Sequence, residues 1–318
     1  YPADYNHFFN FEISLLANPT NSEVKVINDK IQPFFTRTTK NELGVPPTNN
    51  DKIIKVSSSS EELQLFNILF SRYKTNQLAL FAKIMQLESS PSMLLEKLDL
   101  KEFEELLDLS GNHEDLVEYI DYSQDIEDLV NQIEITSKMQ ALLSLIKDIV
   151  SQSKTAITWC IFVKTMYDLK HYLNSMGIRA EVISGSVHQE ERNEIISRFK
   201  NKEIDILITN PHTLAESVSL HQTCHDAIYF EYSYNLVHLL QSKDRIHRLG
   251  LKDDDYTQYY YFQQNYSLEN GNYSLGERIY NRLSEKEQLM LDAIDKHELE
   301  ILPTEDEDLV FFFKNVID

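Results

Sequence analysis

Glycine is scarce in this chain, 7 among 318 residues, and no G-x-x-x-x-G-K-[ST] run occurs anywhere. Glycine-rich turns let backbone N–H groups close around a nucleotide's phosphates, so the chain holds no phosphate loop of its own. No D-E-x-H-type magnesium motif follows a strand-like run either. Two cysteines, Cys160 and Cys224, are too few for a disulfide framework and point to a reduced, intracellular setting. No apolar run reaches the roughly 20 residues needed to cross a bilayer, and Tyr1-Pro2-Ala3-Asp4 opens no signal peptide. No membrane partner is expected. The chain does not start on Met and is expected to be a piece of a longer one. Basic residues are outnumbered, Lys+Arg 30 against Asp+Glu 51, for a net charge of −21. A field of that sign repels phosphate backbones and excludes a protein broadly coated with nucleic acid.

What is present is ordinary for a globular protein: 42% hydrophobic and 25% charged residues, with enough chain for a sizeable core. The acid is unevenly spread, concentrated in 102–134 and again in 298–308, where it reads as solvated helical faces. From Lys138 to Arg248 the charge is nearer balance, which keeps open a local phosphate-binding face.

Residues 1–56 read as mixed, closing on the turn Gly44-Val45-Pro46-Pro47 and a strand-like run from Lys52 to Val56. Hydroxyl residues Ser57–Ser60 before Glu61 and Glu62 predict a helix start, and apolar residues at Leu63, Phe66, Leu69, Phe70 and Tyr73 continue it. Residues 57–135 are therefore expected to be an all-helical insert. From 136 the texture changes. Strands are predicted at 155–163, 180–183, 204–208, 227–230 and 258–262, and helices at 137–152, 165–176, 189–199 and 236–245. Near-continuous apolar strands separated by amphipathic helices predict an α/β fold, a mostly parallel sheet covered on both faces, over 136–265. Residues 266–318 read as a helical, acidic extension. In such sheets ligand groups collect at the carboxyl ends of the strands.

The strongest local pattern is Gln241-Ser-Lys-Asp-Arg245-Ile-His247-Arg248-Leu-Gly250. Two arginines three apart on one helix share a face and can reach one anion. The decapeptide resembles the sixth motif of superfamily-two helicases, Q-x-x-x-R-x-H-R-x-G. Leu207 to Leu220, including Thr209, Asn210, His212, Glu216 and Ser217, resembles the fifth. It is followed by a strand ending in Glu231 and by Tyr234-Asn235, where the family has Asp and Trp-Asn. Cys160 to Lys164 resembles the fourth motif, and Ile183-Ser184-Gly185-Ser186 with Arg192 and Phe199 resembles the family's D-G-S/T … R … F segment. Ile31 to Lys40, then Leu43 to Pro47, is similar to the Swi/Snf-type sequence that ends the first motor lobe, and Lys138 to Leu145 is similar to the helix leading into the second. The chain is thus identified as resembling the second, RecA-like lobe of a Swi/Snf-type ATPase, with 1–56 the end of the first lobe and linker.

That resemblance implies Arg245 and Arg248 as arginine fingers on ATP, Glu216, Ser217 and Gln241 in nucleotide coupling, and a grip on double-stranded DNA by Lys164, Ser184, Gly185, Thr209, Asn210 and His212. It assigns ATP and Mg²⁺ mainly to the first lobe, which is the partner this lobe closes on. This chain by itself is expected not to hydrolyse ATP. The family's fifth motif is glycine-rich where this chain has Leu214, Ala215, Ser217 and Ser219, and the sixth ends Gly250-Leu251 in place of Gly-Gln. These departures lead us to expect a divergent, bacterial and cytoplasmic branch. The alternative is a non-catalytic interaction module on the same fold. His221, Cys224 and His225 lack an evident fourth zinc ligand and are read as a packed loop. Tyr229, Tyr232, Tyr234 and Tyr259–Tyr261 are read as sheet residues, not as a base-stacking platform.

Overall fold

The computed structural model describes residues 38–97, 103, 123–211, 213–214, 218–269, 271–295, 303–314 and 316. The strand-like run at 52 is β1 (Lys52–Ser57). The helical region follows with α1 (Ser60–Tyr73), α2 (Gln77–Ser89) and α3 (Gln124–Val130). The α/β part comprises α4 (Ser137–Ser151), β2 (Ala156–Trp159), α5 (Val163–Ser175), β3 (Ala180–Ile183), α6 (Gln189–Lys200), β4 (Ile206–Thr209), β5 (Asp226–Tyr229), α7 (Leu236–Lys243) and β6 (Gln258–Leu268). A short β7 (Gly271–Tyr273), α8 (Leu275–Asp295) and α9 (Glu305–Phe313) complete the chain.

Among the described residues a 7-stranded sheet runs β1-β6-β5-β2-β4-β3, with β7 pairing antiparallel to β6 and all other pairs parallel. The alternation of a pleated strand explains why these strands are apolar throughout. Ile157 and Leu207 feed one face of the sheet while Ala156, Ile206 and Ile208 feed the other. Helices α4 and α5 cover the second face with Leu142, Ile146, Met166 and Leu169. Helices α6 and α7 cover the first with Ile195, Phe199 and Leu239. Tyr229 and Tyr259–Tyr261 lie in strands, as expected, whereas Tyr232 and Tyr234, also read as sheet residues, lie in the loop after β5. Tyr229 and Tyr261 stack at 4.6 Å with Tyr232 edge-on to Tyr261, and all three are buried.

The helical region shares this core. Phe66 of α1 stacks on Tyr266 at 4.2 Å, and Phe81 of α2 meets Tyr234 at 5.4 Å. Two buried carboxylates pin it to the start of α4. Glu62 closes a capping box with Ser59 and also accepts from the Ser137 N–H at 2.7 Å and hydroxyl at 2.8 Å. Glu88 pairs with Lys138 at 3.0 Å, both buried. Burial, more than the Lys138 charge opposes it, pushes the Glu88 pKa up. Removing either partner would leave a lone buried charge, a loss on the order of 3–5 kcal/mol.

Two predicted boundaries shift for identifiable reasons. The strand expected over 155–163 ends at Trp159, because the Glu231 carboxylate takes the N–H groups of Ile161 and Phe162 out of the ladder at 2.6 and 2.9 Å. The helix expected to reach Arg245 ends at Lys243, so the two arginines stand in the turn beyond it and not on one helical face. The strand read as part of the 1–56 segment pairs with β6 from Lys52↔Tyr260 to Ser57↔Asn265, and so forms one edge of the sheet.

Candidate functional site

Between β2 and β3 the chain crosses over β4, and after β4 it moves to β5 on the other side of β2. The carboxyl ends of β2, β4 and β5 therefore face a switch point, where open parallel sheets leave a crevice. A small cavity of about 30 Å³ lies there, between Asn210-Pro211 on one side and Ser233, Asn235 and His238 on the other. Asn235 caps α7, its side chain accepting from the His238 N–H at 3.2 Å. That cap fixes where α7 starts, and hence where its carboxyl end delivers the arginine turn.

Arg245 and Arg248 are brought together by a partner loop. The Arg245 carbonyl accepts from the Leu220 N–H at 2.9 Å, and the Arg248 guanidinium donates to Ser219 Oγ at 2.7 Å. Ser219, noted above only as a departure from a glycine-rich motif, is thus the residue that orients Arg248. Arg245 is buried, and its pKa is lowered by desolvation and then by the charge of Arg248. Two guanidinium groups in one turn can address a single anion.

Gly250 closes the turn at φ +105, and a Cβ on it would sit 2.8 Å from His221 Nε2. Glycine is required there twice over, by conformation and by space. Burial, then the Arg248 and His225 charges, hold the His221 pKa below its usual value, so the ring stays neutral against the arginine turn. The Cys224 thiol donates to the Asp226 carbonyl at 3.3 Å, and burial pushes its pKa up to about 12. Among the described residues no three His, Cys, Asp or Glu side chains gather as a metal set.

The residues expected to grip DNA divide into two groups. Lys164 sits at the start of α5, 37% exposed and 3.5 Å from Asp168. Gly185 is exposed, with nothing within 4 Å of where a Cβ would stand. Ser184 and Thr209 are fully buried: the Thr209 hydroxyl donates to the Ile183 carbonyl at 2.8 Å, and Ser184 Oγ lies 2.9 Å from Ser186 Oγ. The Asn210 side chain is committed to the Thr213 N–H at 2.6 Å. Of these strand-exit positions, only backbone can meet a ligand at Ser184 and Thr209. Gln241 is exposed on α7. His212, Glu216 and Ser217 lie outside the described residues.

Residues 137–250 match the family described as the helicase conserved C-terminal domain. The chain carries the C-terminal, RecA-like lobe of a superfamily-two, Swi/Snf-type helicase. The lobe is 26% identical over 153 residues to Helicase SWR1 of Candida albicans, covering 48% of this chain and 9% of that protein. It is 22% identical over 238 residues to the SWI/SNF chromatin-remodeling complex subunit snf22 of Schizosaccharomyces pombe, covering 71% of this chain and 13% of that protein. The chain therefore spans only a small part of the length of these curated relatives. Its fold is shared with the crystal structure of the C-terminal part of the Fun30 ATPase domain, with a TM-score of 0.55 and 17% identity. That match covers 84% of this chain and 99% of the other.

Proposed function

We propose that this lobe is the second half of a DNA-dependent ATPase that translocates on double-stranded DNA, its arginine turn completing an ATP site whose phosphate loop and Mg²⁺ ligands belong to a first lobe. The observation that carries the reading is the pair Arg245 and Arg248 in the turn at the carboxyl end of α7, the Arg248 guanidinium held by Ser219 Oγ and the Arg245 backbone by the Leu220 N–H. That pair fits a polyphosphate, whose distributed negative charge it would hold from the side opposite the first lobe. Mg²⁺ is assigned to the first lobe because no D-E-x-H-type magnesium motif follows a strand-like run in this sequence.

When charge redistributes onto the transferring phosphoryl group, Arg245 and Arg248 stabilise it more than they stabilise the ground state. Gln241, exposed on α7 seven residues before Arg248, and Glu216 and Ser217 earlier in the sequence link that event to the nucleic acid. Lys164, with the backbone at Gly185 and the Asn210 loop including His212, contacts DNA phosphates. Closing and opening of the two lobes moves that grip along the duplex.

The test compares DNA-stimulated ATP hydrolysis by this chain alone, by the two-lobed protein, and by the two-lobed Arg248→Ala variant. Turnover is expected only in the intact two-lobed protein, with ATP binding retained in the variant. Hydrolysis by this chain alone, or undiminished turnover in Arg248→Ala, overturns the assignment.

A further inference from the structure

The arginine turn has a second neighbour, one that lies some 200 positions earlier in the chain. Residues 39–45 form a compact turn before β1. Glu42 caps the Thr39 N–H at 2.7 Å, the Val45 N–H donates to the Lys40 carbonyl at 3.0 Å, and Gly44 turns the backbone at φ +72. Downstream the segment is stitched to the lobe: the Asn49 N–H donates to the Thr257 carbonyl at 2.9 Å, Gln258 Nε2 to the Asn50 carbonyl at 2.9 Å, and the Tyr280 hydroxyl to Asp51 at 2.9 Å. Its position is therefore fixed relative to α7.

One face of this turn meets the sixth motif directly. Lys40 Nζ pairs with the Asp244 carboxylate and donates to the His247 carbonyl at 2.7 Å. His247 Nε2 lies 2.9 Å from the Pro46 carbonyl, which can only accept, so Nε2 carries the proton. Nδ1 is then left as an acceptor, 3.4 Å from Lys40 Nζ. The groups around the ring favour its neutral form. Burial lowers the His247 pKa most, the Lys40 and Lys243 charges act in the same direction, and the Pro46 carbonyl and Asp244 oppose them. Asp244 and His247 bracket Arg245, and His247 immediately precedes Arg248.

We propose that Lys40 and His247 are positioning residues for Arg245 and Arg248, latching the arginine turn to the segment that leads in from the first lobe. A lone exposed ion pair at this site would contribute little. Here a single ammonium joins a side chain and a main-chain carbonyl of the turn, and the imidazole returns the contact to Pro46. The incoming segment, itself fixed on this lobe, thereby holds the arginine turn and with it the placement of the guanidinium groups. This role rests on the ATPase reading above and adds to it a set of residues that never touch the nucleotide.

The experiment uses the two-lobed protein and two readouts. In DNA-stimulated ATP hydrolysis, Lys40→Met and His247→Gln are each expected to lower kcat by about tenfold, the scale of a small misplacement of a catalytic group. KM for ATP should stay within about twofold, Lys40→Arg should recover most of the rate, and Lys40→Met should add nothing on an Arg248→Ala background. Nitrogen NMR of the His247 ring should show the Nε2–H tautomer, and its pKa should rise in Lys40→Met as a neighbouring positive charge is lost. An unmoved His247 titration would show that the latch is not formed. A shifted titration with unchanged kcat, while Arg248→Ala still abolishes turnover, would overturn the positioning role and leave the arginine assignment standing. If Arg248→Ala itself left turnover unaltered, the arginine assignment would fail and the positioning role with it.

Discussion

The arginine turn and the strand-exit loops both carry motifs in the sequence, the arginine turn the stronger, yet the fold treats their side chains in opposite ways. At the arginine turn the motif is held from outside: Ser219 Oγ takes the Arg248 guanidinium, while Leu220 and Lys40 bond the main-chain carbonyls of Arg245 and His247. At the exits of β3 and β4 the polar side chains of Ser184, Thr209 and Asn210 are used up in holding the loops themselves. The difference teaches that a polar residue at a strand's carboxyl end has two occupations open to it. Short side chains such as Ser and Thr are readily captured by neighbouring backbone, whereas long arginines reach past it. Only the second kind can be read as a ligand group from type and position.

That contrast can be broken most sharply at the arginines. Arg245→Ala and Arg248→Ala are each expected to lower turnover of the two-lobed protein by about 10³, with the double variant little worse than the poorer single. Arg248→Lys should not rescue, because a point charge lacks the planar fork. Steady-state kinetics with and without DNA decide this, and losses that multiply in the double variant would show that the two groups serve separate steps.

The two glycines extend the comparison to stability. Gly250→Ala, at positive φ and facing His221, should cost about 1–3 kcal/mol in urea unfolding. Gly185→Ala, with open space around it, should stay within about 0.5 kcal/mol. Equal losses would mean that the exit loop of β3 is as tightly built as the arginine turn.

For DNA binding, Lys164→Ala should weaken affinity and reduce the slope of log affinity against log salt by about 1. Ser184→Ala and Thr209→Val, whose hydroxyls face inward, should leave affinity within about twofold. A salt titration in which Thr209→Val behaves like Lys164→Ala would place that hydroxyl on the DNA after all.

The smallest effect separates the regions by pH. His221 and His247 both border the arginine turn, and both have pKa values lowered chiefly by burial. The unfolded chain takes up protons near about 6.5 while the folded rings resist, so stability is complete above that pH and falls as pH drops through it. A loss of about 1 kcal/mol or less between pH 7.5 and 5.5 is expected, and His221→Gln should make the urea midpoint flatter over that range. A steeper profile in the variant would contradict the neutral-ring assignment.

Much of the fold was legible because it depends on local pattern. The apolar strands and the helices over 137–152 and 189–199 follow from periodicity, which survives in any context that buries one face. The limits of two elements were not legible. The premature end of β2 depends on Glu231, some 70 residues away, taking two N–H groups, and the end of α7 depends on the tether at Lys40 and on Ser219. The spacing that singled out the two arginines implied one helical face, whereas Arg245 and Arg248 stand in the turn beyond the helix. Lys40 stood in plain view in a Swi/Snf-like segment, with nothing in that segment to tie it to His247.

By itself, then, the amino-acid sequence determined the layered α/β architecture, the order of its motifs and the lack of a phosphate loop, since each is written in residue type and short-range spacing. Tertiary structure alone decided which polar groups face outward, that β1 joins the sheet beside β6, and that the arginine turn is shared among three distant segments. Those outcomes depend on contacts between residues tens to hundreds of positions apart, whose strength is set by burial and geometry that no local pattern encodes.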